Sequence, residues 1–166
     1  MINMNKIDEA VMYLEESGVT FCKNEIFSSI QDDFLKRYGL PQLNNVFIID
    51  DLCFFYEPKL KTTPSEYLAI GCDGLRLICI NLSTNEVVSL DSNLSECYMN
   101  NDFSEFIYFV YLYKKMFLDQ VVEDEETEFK IFKRLKKNFN EINPKSLMKD
   151  TNWWSEIIEP LEFGLL

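Results

Sequence analysis

The chain has 166 residues, 47% hydrophobic and 14% aromatic, which excludes a disordered protein and fits one domain with a sizeable core. Its 28 acids against 16 bases leave a formal charge of −12, which argues against direct nucleic-acid binding and favours a basic partner, or else serves solubility. There is no histidine, so Ser-His-Asp and Cys-His nucleophile systems and every His-ligated metal site are excluded.

The opening MINMNKIDEA carries early charges and no apolar core, so no signal peptide is expected. Ile7, Ala10, Val11 and Leu14 share one helical face, with Gly18 placed to end the helix and Asp8, Glu9, Glu15 and Glu16 opposite. Val19 to Cys22 reads as a brief strand or an extended entry. Ser28 or Ser29 then opens a helix with Ile30, Phe34 and Leu35 inward, ending before Gly39-Leu40-Pro41. Val46 to Ile49 and Leu52 to Tyr56 read as strands joined across Asp50-Asp51, and Glu57 to Glu66, with two prolines, as a surface loop.

Leu68 to Asp91 (LAIGCDGLRLICINLSTNEVVSLD) is the organising stretch, three short apolar runs punctuated by Cys72-Asp73-Gly74 and Ser83-Thr84-Asn85. This pattern predicts an antiparallel meander whose turns use Gly74 and Asn85 at positive φ. Leu75, Leu77, Cys79 and Asn81 fall on one side of the middle strand and Arg76, Ile78 and Ile80 on the other, so both faces are covered. Cys97 to Met99 is a further short strand. Asp102 to Glu105 has capping-box spacing, and the helix it starts runs to about Gln120. Phe103, Phe106, Ile107, Val110, Tyr113 and Phe117 form its stripe, which reads as core rather than a ligand box.

The acidic run Glu123 to Glu128 precedes a helix with Phe129, Phe132, Leu135 and Phe139 inward and bases toward its end. Asn143-Pro144 starts a short helix through Met148. Asp150 to Asn152 caps a last helix bearing Trp153, Trp154, Ile157 and Ile158, which Pro160 should break or bend. The longest apolar run, Phe106 to Tyr113, is too short for a membrane span. Five cysteines, odd in number and without a C-x-x-C pair, fit a reduced cytoplasmic protein.

Features that suggest an active site have plainer readings. The adjacent Asp50 and Asp51 point to opposite faces of a strand and fit an Asx-bonded turn better than catalysis. The Cys72 thiol lacks a histidine base, and Gly71 and Gly74 make no phosphate loop. A carboxylate-dependent enzyme remains as a third reading, and it requires a deep pocket lined by three or more acids.

The Gly71-to-Gly74 turn, the following ICINL strand, and NEVVSLD after it resemble the SUKH superfamily, most closely the fourth of its immunity-protein subfamilies. Gly39-Leu40-Pro41, the run CYMNNDFSEFIYFVYLY and the ending INPKSL…WWSEII…GLL extend the resemblance from about Ser28 to Leu166. Three features depart from it: Asn81 where the family often has aspartate, Asn85 where it often has glycine, and Leu75-Arg76 in place of a glycine-rich turn. The expected fold is α+β, a single SUKH-like domain over residues 1–166 with a mostly antiparallel sheet of about five or six strands flanked by helices.

The resemblance implies a bacterial immunity protein that binds the C-terminal domain of a cognate toxin in the cytoplasm and blocks it stoichiometrically. It implies no chemistry and no cofactor. Toxins paired with this family are often nucleases, hence basic, which the −12 charge suits. The alternative is a regulatory or scaffold protein related to cell-wall assembly regulators; neither reading involves a membrane. The expected interface is the turn side of the meander, Asp50, Asp51, Asp73, Arg76 and Asp91, each of which also has a reading as a residue that only shapes its own turn.

Overall fold

A five-stranded antiparallel sheet forms the centre of the molecule, in a computed structural model that describes residues 2–43, 46, 48–49, 51–61, 66–121, 124–148 and 152–162. Its strands are β3 (Leu52–Lys61), β4 (Tyr67–Asp73), β5 (Leu77–Asn81), β6 (Val87–Leu90) and β7 (Glu96–Asn100), and they lie side by side in chain order. The meander is therefore as the punctuation predicts. Gly74 has φ +82° and Asn85 +66°, the conformations its two turns require. Asn81 fixes the second turn by accepting from the Ser83 and Thr84 amides and the Ser83 hydroxyl.

Ahead of the sheet come α1 (Met4–Glu16), β1 (Thr20–Cys22), a 3-10 turn (Glu25–Ser29), α2 (Asp33–Arg37) and β2 (Leu40–Gln42). β1 and β2 pair as a separate two-stranded ribbon. The expected helix from Ser28 or Ser29 is thus two pieces, because Asp32 rather than a serine caps α2. Its carboxylate accepts from the Leu35 amide and reaches across to the Phe103 amide, so tertiary contact decides the break. The expected strand at Val46 to Ile49 is also corrected in its described part: Phe47 lies outside the described residues, while Ile48 and Ile49 form a bend, and their apolar character reflects burial. Conversely, Glu57 to Lys61 extends β3 instead of starting a loop. This extension holds a long bulge, in which residues 55–58 stand opposite Ile70 alone.

Behind the sheet run α3 (Phe103–Tyr113), a π-helical turn (Lys114–Leu118), α4 (Glu125–Ile142), a 3-10 turn (Pro144–Leu147) and α5 (Trp153–Glu162). Asp102 caps α3 as the spacing predicts, accepting from the Glu105 amide at 2.8 Å. Every residue from Phe106 to Tyr113 except Tyr108 is buried, so α3 is enclosed on nearly all sides. Phe109, outside the predicted stripe, stacks on Phe139 of α4 with centroids 4.0 Å apart. Phe132, Leu135 and Phe139 turn inward as expected; Phe129 is exposed instead, beneath the Lys133 ammonium. α5 continues unbroken through Pro160, where a break or a bend was expected. Only two helical residues follow the proline, so the missing hydrogen bond falls in the last turn.

The main core lies between the sheet and the helices, with Ile70, Ile78, Ile80 and Met99 of the strands against Phe103, Phe106, Trp153 and Trp154. Tyr67, Ala69, Cys79, Val88 and Leu90 make a second apolar layer on the opposite face, so β5 is buried on both sides. Among the described residues no helix is long and apolar enough to cross a membrane.

Candidate functional site

The antiparallel register brings the predicted site residues together. β3 starts, β4 ends, β5 starts and β6 ends at the same edge of the sheet, because Leu52 pairs with Asp73 and Leu77 with Leu90. Asp51, Asp73, Arg76 and Asp91 flank those strand ends and so share one end of the molecule. Asp50 lies outside the described residues.

Their environments differ. Asp51 is exposed at φ +55° and touches the Gly74 turn, where a Cβ on Gly74 would stand 3.0 Å from its carboxylate. Asp73 is largely enclosed, its side chain 8% exposed. One carboxylate oxygen accepts from the Arg76 amide at 2.8 Å, closing the turn. The other accepts from Trp153 Nε1 of α5 at 2.6 Å and lies 3.4 Å from Arg76 Nε. Arg76 in turn bridges to Glu156 of α5, which raises the guanidinium pKa further. Asp91 accepts from the Asn93 and Ser95 amides, both at 2.8 Å, and so shapes the β6–β7 turn.

Beside this cluster a groove of about 440 Å³ runs between β6–β7 and the segment leading into α5, lined among others by Arg76, Glu86, Asp91, Glu96, Tyr98 and Lys145. Lys145 pairs with Glu86 at 2.6 Å and lies 3.8 Å over the Tyr98 ring. Glu96 accepts from Tyr67 at 2.7 Å. The three lining acids are thus each directed to a different local donor rather than to a common point. Among the described residues no group of three or more Cys, Asp or Glu is placed to hold a metal ion. Glu86, Glu96, Tyr98 and Lys145 were not singled out from the sequence, since they come from separated segments and share no motif.

Below the groove a buried polar network joins four elements. Glu105, 4% exposed, accepts from Asn100 at 3.1 Å, from Asn143, and from both nitrogens of Asn101. Its carboxylate therefore serves the residue before the cap rather than the cap itself. Trp154 Nε1 donates to Asn100 Oδ1 at 2.7 Å, and Asn143 to the Tyr98 hydroxyl at 2.6 Å. The two adjacent tryptophans thus fix α5 at two points, one at each end of the sheet.

What results is an α+β protein whose exposed sheet end offers carboxylates and hydrogen-bond acceptors in an open groove. The family model described as SUKH-4 immunity protein matches residues 29–160, most of the chain, and the protein belongs to that family. Membership implies a cognate toxin as partner. Searches of curated proteins and of solved structures return no match.

Proposed function

We propose that the protein neutralises its toxin by stoichiometric binding in the bacterial cytoplasm, turning nothing over, and that the partner is the basic C-terminal domain of that toxin, a nuclease for instance. The family match carries this reading, and the −12 charge supports the sign of the partner. The docking surface in this reading is the sheet end bearing Asp51, Asp91 and Glu96, continued along the groove to Glu86 near the opposite end of β6, with Asp50 beside Asp51 in sequence. Arg76 forms its rim, and Asp73 holds that rim in place rather than meeting the partner.

Co-expression with the toxin domain encoded beside it tests the proposal. Rescue from growth arrest together with a co-purifying 1:1 complex is the expected result. No rescue and no complex would instead favour a regulatory or scaffold role of the kind associated with cell-wall assembly regulators.

A further inference from the structure

Two cysteines that neither the core nor the groove uses face each other across β3 and β4. Cys53 and Cys72 are register partners, and their Sγ atoms lie 3.0 Å apart. Directly opposed residues project from the same side of a sheet. Here that side is the one away from the main core, since Leu52 and Phe54 on either side of Cys53 are buried in it while Cys53 is exposed and Cys72 half-buried. The backbone enforces the approach. In the next pair Phe54 faces Gly71, and a Cβ on Gly71 would stand 2.2 Å from the Cys53 carbonyl oxygen. A side chain at residue 71 would force the strands apart beside this pair.

We infer that Cys53 and Cys72 form an oxidisable dithiol, a modification site that takes a small-molecule disulfide as oxidant and closes to a cross-strand bridge. One protein thiolate attacks a sulfur of the small disulfide, forming a mixed disulfide and releasing one small thiolate. The second protein thiolate then attacks the protein sulfur of that adduct, and the second small thiolate leaves. Two protein thiols give up two protons and two electrons, and the small disulfide takes them up as two thiols. The sulfurs need approach by only about 1 Å to reach bonding distance. Although Cys53 is exposed as a residue, partial desolvation of its sulfur against the sheet, together with the neighbouring Cys72 thiol, raises its pKa, so exchange is slow near neutrality and quickens as pH rises. The bridge ties the edge strand β3 to β4 one pair away from Leu52–Asp73, at the head of the sheet.

The test uses the purified full chain in glutathione/glutathione-disulfide buffers at pH about 8, near the ordinary thiol pKa, followed by acid quench, alkylation and peptide mapping. The expected product is one intramolecular Cys53–Cys72 disulfide, with a melting temperature roughly 5–10 °C above that of the reduced protein. C53S and C72S should stop at a mixed disulfide with glutathione and show no such rise, whereas C22S should keep the bridge. Wild-type protein that accumulates only glutathione adducts at Cys53 or Cys72, or that bridges through Cys22 or Cys97, overturns the inference.

Discussion

Trp153 of α5 donates its indole N–H to Asp73 at the end of β4, 80 residues earlier in the chain, at 2.6 Å. The same carboxylate closes the following turn and steadies Arg76, so one side chain sets the position of a helix, a turn and the rim of the groove.

Trp153→Phe keeps an aromatic ring but removes the donor and leaves a void where the rest of the buried indole lay. It should lower the unfolding free energy by about 2–4 kcal/mol in urea titration. Asp73→Lys should cost more, about 3 kcal/mol or above, because it leaves the indole N–H unpaired and sets two cations side by side. A weaker toxin complex in Asp73→Lys would therefore report a displaced α5, and only stability measured alongside it separates the two effects.

The acids of the sheet end and its groove lend themselves to gentler variants. Asp51→Asn tolerates the positive φ at that position, Asp91→Asn retains the acceptor for its turn, and Glu96→Gln retains an acceptor for Tyr67. Together they remove three negative charges with little effect on the fold. Stopped-flow association with the toxin domain should slow by about tenfold at low ionic strength, and the difference should shrink at high salt. An unchanged rate at low salt would move the interface to another face.

Glu105→Leu should be among the most damaging single changes. It strands amide donors of Asn100 and Asn143, both buried, and loses the tie between β7, α3 and the junction of α4 with the 3-10 turn. A loss of about 3–5 kcal/mol is expected in equilibrium unfolding. Glu105→Gln, which keeps one acceptor oxygen, should recover part of it.

Burial, followed by the nearby Glu105 charge, raises the Asp102 pKa against the pull of its hydrogen bond from the Glu105 amide. Between the ordinary carboxylate value of 3.8 and the raised folded value, the folded protein keeps a proton that the unfolded chain has released. Stability from this group is thus present at low pH and lost as pH rises through that window. Asp102→Asn preserves the cap and cannot titrate, so its stability should decline less than that of the wild type from pH about 4 to neutrality. Glu9, lowered by its bonds from Tyr111 and Lys115, acts with the opposite sign but equally in both proteins. Thermal melts of the pair across that range give the comparison.

Local chemistry made much of this fold readable. Gly74 and Asn85 mark turns whose geometry few other residues tolerate, and Asp102 lies just ahead of an apolar helix. The failures occur where distant groups decide. Asp32 ends one turn and begins α2 because the Phe103 amide lies across from it, and no local pattern carries that information. Leu40–Gln42 is a strand despite Pro41 because, among the described residues, it pairs with β1 alone in a two-stranded ribbon. The end of the sheet was predictable from alternating turns, so Asp51, Asp73, Arg76 and Asp91 fall where expected. Their division into an exposed charge, a buried anchor and a turn former depends on α5, which arrives from the far end of the chain.

The bulge in β3 also bears on how a partner can be recognised. β3 is an outer strand, and residues 55–58, Pro58 among them, interrupt its ladder, with Lys59 and Lys61 beyond. A border so bent, lacking one amide and carrying two ammonium groups is a poor template for an incoming extended chain. Recognition by lengthening the sheet along this border is thereby disfavoured, which favours the proposed docking through side chains at the strand tips.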